Sequence, residues 1–97
     1  MDVVVRTYTG PGSTELFTLL EDRKAEVEKA LRSVPGFESY TLARMNEGGL
    51  SVTVCQDKQG TDESVRVARD WIAANAQNIN PEPPKVFAGT VIIHATK

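Results

Sequence analysis

Two helical patterns interrupt a series of β-type stretches, and the order in which they alternate restricts this chain to a few architectures. A β-branched stretch covers residues 2–8 and ends at a Gly-Pro-Gly turn. Apolar residues at spacings of three, four and seven then predict one helix from about 14 to 33. Pro35-Gly36 ends that helix, because the residue before a proline disfavours helical geometry.

The second half of the chain reads as a hairpin, a helix and a final strand. A loop rich in asparagine and glycine at 46–49 is typical of an antiparallel hairpin. Thr61 is the expected cap of the second helix, and three prolines within 81–84 require an extended linker after it. The predicted elements are strands from about Phe37 to Met45 and Leu50 to Gln56, a helix reaching Ile79, and a strand from about Lys85 to Ala95.

The resulting order, β-α-β-β-α-β, predicts an α+β ferredoxin-like fold. Because each crossover connection is right-handed, both helices are expected on one face of a four-stranded antiparallel sheet. No repeat or shift in composition marks a boundary, so residues 1–97 are predicted to form a single domain.

Composition and charge exclude several classes of protein. The chain is 40% hydrophobic and carries a net charge of −2, which argues against nucleic-acid and anionic-membrane partners. No apolar run is long enough for a membrane helix, and the first residues lack the pattern of a signal peptide. Cys55 is the only cysteine and has no disulfide partner within the chain, so a cytoplasmic location is expected.

Strand alternation divides the sheet into two faces. We expect the more apolar set to face the helices: Val3, Val5, Thr7, Val52, Val54, Val91 and Ile93. The other set mixes apolar and polar side chains: Val4, Arg6, Tyr8, Ser51, Thr53, Cys55, Ala88, Thr90, Ile92 and His94. Since both helices cover the first face, a second copy of the sheet is the expected cover of the second, giving a homodimer. The alternative is a face left partly open to water.

The segment 34–42, VPGFESYTL, resembles the turn by which antibiotic-biosynthesis-monooxygenase-like (ABM-like) proteins pass from helix one to strand two. The stretch 51–64 is most similar to small bacterial proteins of that group that have no settled activity. The resemblance implies a dimeric α/β barrel. It also implies relatives that are cofactor-independent monooxygenases of polyketide quinone precursors, haem degraders, or proteins without an established reaction.

In the enzymes of that group a tryptophan, an asparagine and an arginine or histidine serve a pocket between helix two and the sheet. The resemblance places Trp71 at the position of that tryptophan and makes it the candidate catalytic residue. Strand one holds no asparagine, and Thr7 is the nearest polar side chain. Helix two holds no histidine, so the haem ligand is missing and no cofactor is expected.

The remaining candidates follow from side-chain chemistry. Tyr40 and Arg44, with Arg6 and Tyr8, could line a cavity and orient an anionic or phenolic ligand. The two arginines could equally be edge and interface charges paired with Asp2, Glu38 or Glu47. His94, the only histidine, could act as an acid or base or bond across a dimer, but a lone histidine makes no metal site.

Two functional hypotheses result. The first is a small-ligand-binding or non-catalytic homodimer, favoured because the helix-facing sheet surface is expected to be apolar. The second is a cofactor-independent monooxygenase acting on an aromatic or quinol-type molecule, with Trp71 as its best residue and Thr7, Tyr40 and Arg44 as orienting groups.

Overall fold

Alternating β and helical segments fold into one sheet with helices packed on one side. The computed structural model describes residues 1–97. Its elements are β1 Asp2–Tyr8, α1 Ser13–Asp22, α2 Lys24–Arg32, β2 Phe37–Arg44, β3 Gly49–Cys55, α3 Lys58–Asn75 and β4 Lys85–Thr90. No helix is both long and apolar enough to span a bilayer.

The four strands form one antiparallel sheet in the order β2-β3-β1-β4. The central strand β1 pairs on both sides, so that Val5 lies opposite Val52 of β3 and Phe87 of β4. The predicted ferredoxin-like α+β fold is therefore confirmed.

The first predicted helix is divided into α1 and α2 at Arg23, whose backbone leaves the helical region (φ −113°, ψ 25°). No glycine or proline marks this position in the sequence. Instead Arg23 contacts α3, donating to Asn75 Oδ1 at 3.3 Å and lying 5.7 Å from the Trp71 ring centroid. The break is thus associated with tertiary contacts that the local sequence does not report.

Helix α3 ends at Asn75, before the predicted end at Ile79, and two further predicted boundaries move. Helix α3 begins at Lys58, before the expected cap Thr61, because the Asp57 carboxylate accepts a hydrogen bond from Gly60 N at 3.2 Å. Strand β4 ends at Thr90, whereas the sequence predicted a strand to Ala95. Thr90 pairs with Asp2, and only the bond from Val91 N to Met1 O (2.9 Å) continues the ladder, so later residues have no neighbouring strand.

The predicted assignment of the two sheet faces is wrong: the structure reverses it. The side chains that face the helices form the covered face, which includes Val4, Arg6, Tyr8, Tyr40, Leu42, Ser51, Thr53 and Cys55. The opposite side, the open face, carries Val3, Val5, Thr7, Leu50, Val52, Val54 and Phe87. Both sets follow strict alternation, but alternation does not say which set the helices cover.

The hydrophobic core lies between the covered face and the helices. Its fully buried members come mainly from the two N-terminal helices, with Tyr8 and Ala76 at its edges: Leu16, Phe17, Leu20, Val27 and Leu31. The Tyr8 and Phe17 rings meet edge to face, with centroids 5.8 Å apart. Tyr8 is therefore held by packing on one side of its ring, which fixes its hydroxyl relative to β1.

Candidate functional site

A cleft of about 460 Å³ opens beside α3, between the start of β4 and the linker that precedes it. Its walls are largely hydrocarbon, and its floor is formed by β1 side chains of the covered face. The residues that line it are Arg6, Tyr8, Val65, Arg69, Ile72, Ala73, Asn80, Pro81, Glu82, Pro83, Pro84 and Val86. This volume suits a small organic ligand.

The outer wall of the cleft is the linker 80–84, which is fixed to the loop between β1 and α1. Glu82 N donates to Pro11 O at 3.4 Å. Gly12 has φ +84°, and a Cβ there would lie 2.9 Å from Pro81 Cα, so this close approach requires glycine. The prolines keep the linker extended, and the glycine loop holds it against β1.

Arg6 is the most unusual residue of the site. It is only 2% exposed, and Nη1 donates to the Tyr8 hydroxyl at 3.2 Å. Its Nε–H has no hydrogen-bond partner, and none of the ion pairs in the structure includes Arg6. The interpretation of Arg6 as an edge charge is therefore wrong. Burial of an uncompensated charge costs several kcal/mol, so the surroundings of Arg6 favour an anionic partner.

The two tyrosines near Arg6 stay neutral over the ordinary pH range. Burial raises the pKa of the Tyr8 phenol, and the positive charge of Arg6 opposes that shift only in part. Burial likewise raises the pKa of Tyr40, again opposed by Arg6. Tyr8 lines the cleft, whereas Tyr40 lies behind it, beside a smaller internal cavity. Tyr8 is thus a neutral hydroxyl donor at the cleft floor.

Two hydroxyl groups next to Arg6 also lack partners. Ser51 lies directly opposite Arg6 in the sheet, and Thr53 lies opposite Val4. Both are fully buried, and neither Ser51 Oγ nor Thr53 Oγ1 makes a hydrogen bond within the chain. The covered face therefore carries more polar groups than the protein itself satisfies, which is unusual for a helix-packed sheet surface.

The mouth of the cleft holds charges of both signs. Arg69 is exposed, and its guanidinium is 3.9 Å from Asp70, at the outer limit of an ion pair. The Glu82 carboxylate lies over Gly10, where a Cβ would stand 2.6 Å from Glu82 Oε2. Counted over the lining residues, two arginines and one glutamate sum to one positive charge, which Asp70, next to Arg69 but outside the lining, partly offsets.

Trp71 lies on the other side of α3 from the cleft. Its indole Nε1–H donates to Glu26 Oε1 at 3.0 Å, so this donor is engaged in a contact with α2. The ring lines an internal cavity of about 20 Å³, shared with Arg6, Tyr8 and Tyr40 and otherwise apolar. A cavity of this size holds no more than about one water molecule. The space beside Trp71 is therefore filled by protein in this structure.

The other predicted site residues are not brought together. Thr7 lies on the open face, opposite Leu50 and Lys85, so its expected position toward the helices is wrong. Arg44 donates to Phe17 O at 3.2 Å and to Glu21 Oε1 at 2.7 Å, which joins β2 to α1. His94 lies in the irregular segment after β4. Of these residues and Tyr40, only Tyr40 lies near Arg6; Arg6 and Tyr8, which are also expected to line a cavity, do lie together in the cleft.

The single thiol and the possible metal ligands are the groups on which a thiol nucleophile or a metal site would depend. Cys55 is a free, buried thiol whose pKa is raised by burial, which favours the protonated form over a nucleophilic thiolate. No group of three or more histidine, cysteine, aspartate or glutamate side chains is placed to hold a metal ion.

The sequence matches no protein-family model, and no curated protein resembles it at a significant level. Solved structures do resemble the fold. A monooxygenase from the gene ActVA-Orf6 of Streptomyces coelicolor, in complex with nanaomycin D, has a TM-score of 0.69 at 20% identity, covering 99% of this chain and 91% of that one. This chain has the fold of the ABM-like monooxygenases.

Two further structures show how widely the ABM-like fold is used. NE2512, a protein of unknown function from Nitrosomonas europaea, has a TM-score of 0.72 at 16% identity over 99% of this chain and 92% of that one. The haem degrader MhuD from Mycobacterium tuberculosis, with two haems bound, has a TM-score of 0.69 at 19% identity over 99% and 100%. The resemblance predicted from residues 34–42 is thus confirmed at the level of fold. The shared fold does not define the function, because one fold serves unrelated activities.

Proposed function

We propose that this protein is a homodimer that binds a small aromatic molecule in the cleft beside α3. The observation that carries the proposal is the cleft itself: apolar walls around a buried, unpaired Arg6. Ligand sites are commonly concave and mostly apolar, with a few polar groups that fix orientation. The expectation that the helix-facing surface is apolar throughout is wrong, because that surface carries Arg6, Ser51 and Thr53 among its apolar side chains; the cleft supports ligand binding instead.

The homodimer is supported by the open face. Its side chains are mostly valine, leucine and phenylalanine, and Phe87 is 56% exposed in the isolated chain. Contiguous apolar surfaces of this kind commonly mark protein interfaces. A second copy related by a two-fold axis would bring the same apolar surface to both sides. We also propose a cytoplasmic location, in keeping with the free thiol of Cys55.

Ligand binding can be tested with a matched pair of cleft variants. Ala73 lines the cleft on α3, and Ala74 is the next residue, exposed and outside the cleft. Ala73→Trp would fill the site, whereas Ala74→Trp adds the same side chain elsewhere. A series of one- to three-ring aromatic compounds, measured by calorimetry, should contain binders of the wild type and of Ala74→Trp that Ala73→Trp fails to bind. Equal binding by all three proteins would place the ligand elsewhere.

The second candidate function is a cofactor-independent monooxygenase for an aromatic or quinol-type substrate. It is favoured by the nanaomycin-bound monooxygenase of the same fold and by the Arg6–Tyr8 pair, which could stabilise a phenolate formed from the substrate. The reaction balances without a reductant: a substrate CH2 becomes C=O, while O2 accepts four electrons and supplies one oxygen to product and one to water.

In that mechanism Trp71 and Tyr40 would be the residues to test first, because both line the internal cavity behind Arg6. Thr7, Arg44 and His94 lie outside both the cleft and that cavity. An anthrone-type substrate should consume one O2 per product formed, and Trp71→Phe should reduce the rate. Unchanged turnover in Trp71→Phe would remove Trp71 from the mechanism, and no O2 uptake by the wild type would leave the binding function.

A further inference from the structure

We infer that the ligand of the cleft is a monoanion: a planar aromatic body bearing one ionised acidic oxygen group, of which a carboxylate is the model case. This inference rests on the proposed binding function and names the class of ligand. It depends on the charge and hydrogen-bonding character of the cleft floor, which are independent of its size.

The floor offers donors without acceptors. Arg6 carries a permanent positive charge, is 2% exposed, and has an Nε–H without a partner. The Tyr8 hydroxyl accepts from Arg6 Nη1 at 3.2 Å, which leaves its own O–H without an acceptor in the chain. Ionised oxygen groups accept hydrogen bonds only, so a carboxylate or phenolate complements this floor and an amine or amide does so poorly.

The charge of the ligand is limited at the cleft mouth. Arg69 adds a second positive charge, and Glu82 adds one negative charge. The Glu82 carboxylate lies against Gly10 of the loop between β1 and α1, a residue that does not itself line the cleft. The net positive charge of the cleft is therefore matched by a monoanion, and a dianionic phosphate would meet repulsion from Glu82.

The walls require an apolar body attached to the acid. Val65, Ile72 and Ala73 on α3 face the prolines of the linker and Val86 of β4. A free inorganic anion would leave these walls uncovered. The ligand therefore joins two parts, an acid at Arg6 and a flat hydrocarbon body between α3 and the linker.

The test uses pairs of ligands that differ in charge and little in shape. Benzoate, 2-naphthoate and anthracene-2-carboxylate are compared by calorimetry with their primary amides, and 2-naphthoate is also compared with 2-naphthyl phosphate above neutral pH. At least one carboxylate should bind roughly 10- to 100-fold more tightly than its amide, the range of a charge-assisted hydrogen bond. The dianionic phosphate should bind more weakly than 2-naphthoate.

Variants of Arg6 test whether the preference for carboxylate over amide arises from the cleft floor. Arg6→Met should abolish the difference between carboxylate and amide, whereas Arg6→Lys, which keeps the charge, should retain part of it. Arg32→Met is the control, because Arg32 pairs with Glu28 on the surface and does not line the cleft. If Arg6→Met does not fold, the difference in affinity between carboxylate and amide, measured in the wild type and in Arg6→Lys, still tests the inference.

The outcomes separate the two proposals. Carboxylates and amides that bind equally well would overturn the monoanion inference and leave the binding function intact. Absence of binding by every acid and amide would overturn the binding function, and with it the inference. Tighter binding of the phosphate would replace the monoanion with a dianion and show that Glu82 does not limit charge.

Discussion

The two faces of the sheet differ in an unexpected direction. In a protein that buries its apolar surface within one chain, the face covered by helices would be the more apolar of the two. The covered face, packed against three helices, holds Arg6, Ser51 and Thr53 with unpaired polar atoms. The open face, on the side of the sheet away from the helices, is mostly valine and leucine; Phe87 is 56% exposed there, whereas Val54 is buried. Unpaired polar groups are thus buried beside the hydrophobic core, and part of the apolar surface of the sheet lies on the side away from the helices.

This difference indicates which kind of partner would stabilise each face. Buried polar groups without partners are costly, so the covered face favours a ligand that supplies acceptors. Exposed apolar area is also costly, so the open face favours a partner surface that removes it from water. The isolated chain satisfies neither face, which is why we assign a ligand to one and a second copy to the other.

The largest expected effect is on the open face. Val5→Lys would place a charge at the centre of the proposed dimer interface, and we expect dissociation with a loss of roughly 3 kcal/mol or more of dimer stability. Light scattering would report a monomer, and the unfolding midpoint would no longer depend on protein concentration. Ala25→Lys, on the exposed side of α2, should leave the dimer intact. A Val5→Lys protein that is still dimeric would show that the interface lies elsewhere.

The next effect concerns the covered face. Arg6→Met removes an uncompensated buried charge while keeping a long side chain, so the ligand-free protein should gain about 1–3 kcal/mol in free energy of unfolding. Urea denaturation of the wild type and of Arg6→Met measures this change in the free energy of unfolding. Arg44→Met is the comparison: it breaks the exposed pair with Glu21 and should cost less than about 1 kcal/mol. If Arg6→Met were the more destabilised of the two, Arg6 would be a structural residue.

A reciprocal exchange of nearly isosteric side chains compares the faces directly. Thr53→Val removes a buried hydroxyl that has no partner, and should raise the free energy of unfolding by about 1 kcal/mol. Val52→Thr adds a hydroxyl to the open face and should lower dimer stability by about 1 kcal/mol. Both values come from thermal or urea unfolding at one protein concentration. Changes of the same sign would mean that the two faces do not differ as described.

The smallest effect is a dependence on alkaline pH. In the folded protein the pKa values of Tyr8 and Tyr40 are raised above the ordinary value of 10.0. Above pH 10 the unfolded chain therefore releases phenolic protons that the folded chain keeps, so stability is complete below pH 10 and decreases as pH rises further. Urea denaturation across this range, with Tyr8→Phe beside the wild type, should show a shallower decrease in the variant. Equal slopes would exclude a contribution from Tyr8.

The order of elements was predictable because each is marked by its own residues. Turn-forming residues separate the elements where the structure separates them: Pro35-Gly36, the glycine-rich hairpin loop and the prolines after α3. The break at Arg23 was not predictable, since it accompanies contacts with Asn75 and Trp71 that are distant in sequence.

The site was predicted only in part, and for a physical reason. Assigning the more apolar face to the helices assumes that the chain buries its own apolar surface, and this chain leaves Val5 and Val52 on the open side. That error places Thr7 in the expected pocket and Arg6 on the opposite face, although side-chain chemistry by itself indicates Arg6 and Tyr8 as candidates to line a cavity. The positions of Arg69 and Glu82 at the cleft could not be predicted, because an isolated charge on a helix or linker does not reveal which cleft it borders.

The proline linker has a consequence for the energetics of recognition. Three prolines within 81–84, pinned at Gly12, have few conformations to lose when a ligand arrives. The wall is therefore preorganised, and little of the binding free energy is spent on ordering it. Entry to the cleft should then be limited by diffusion into an existing opening, so that differences between ligands arise mainly in how slowly they leave.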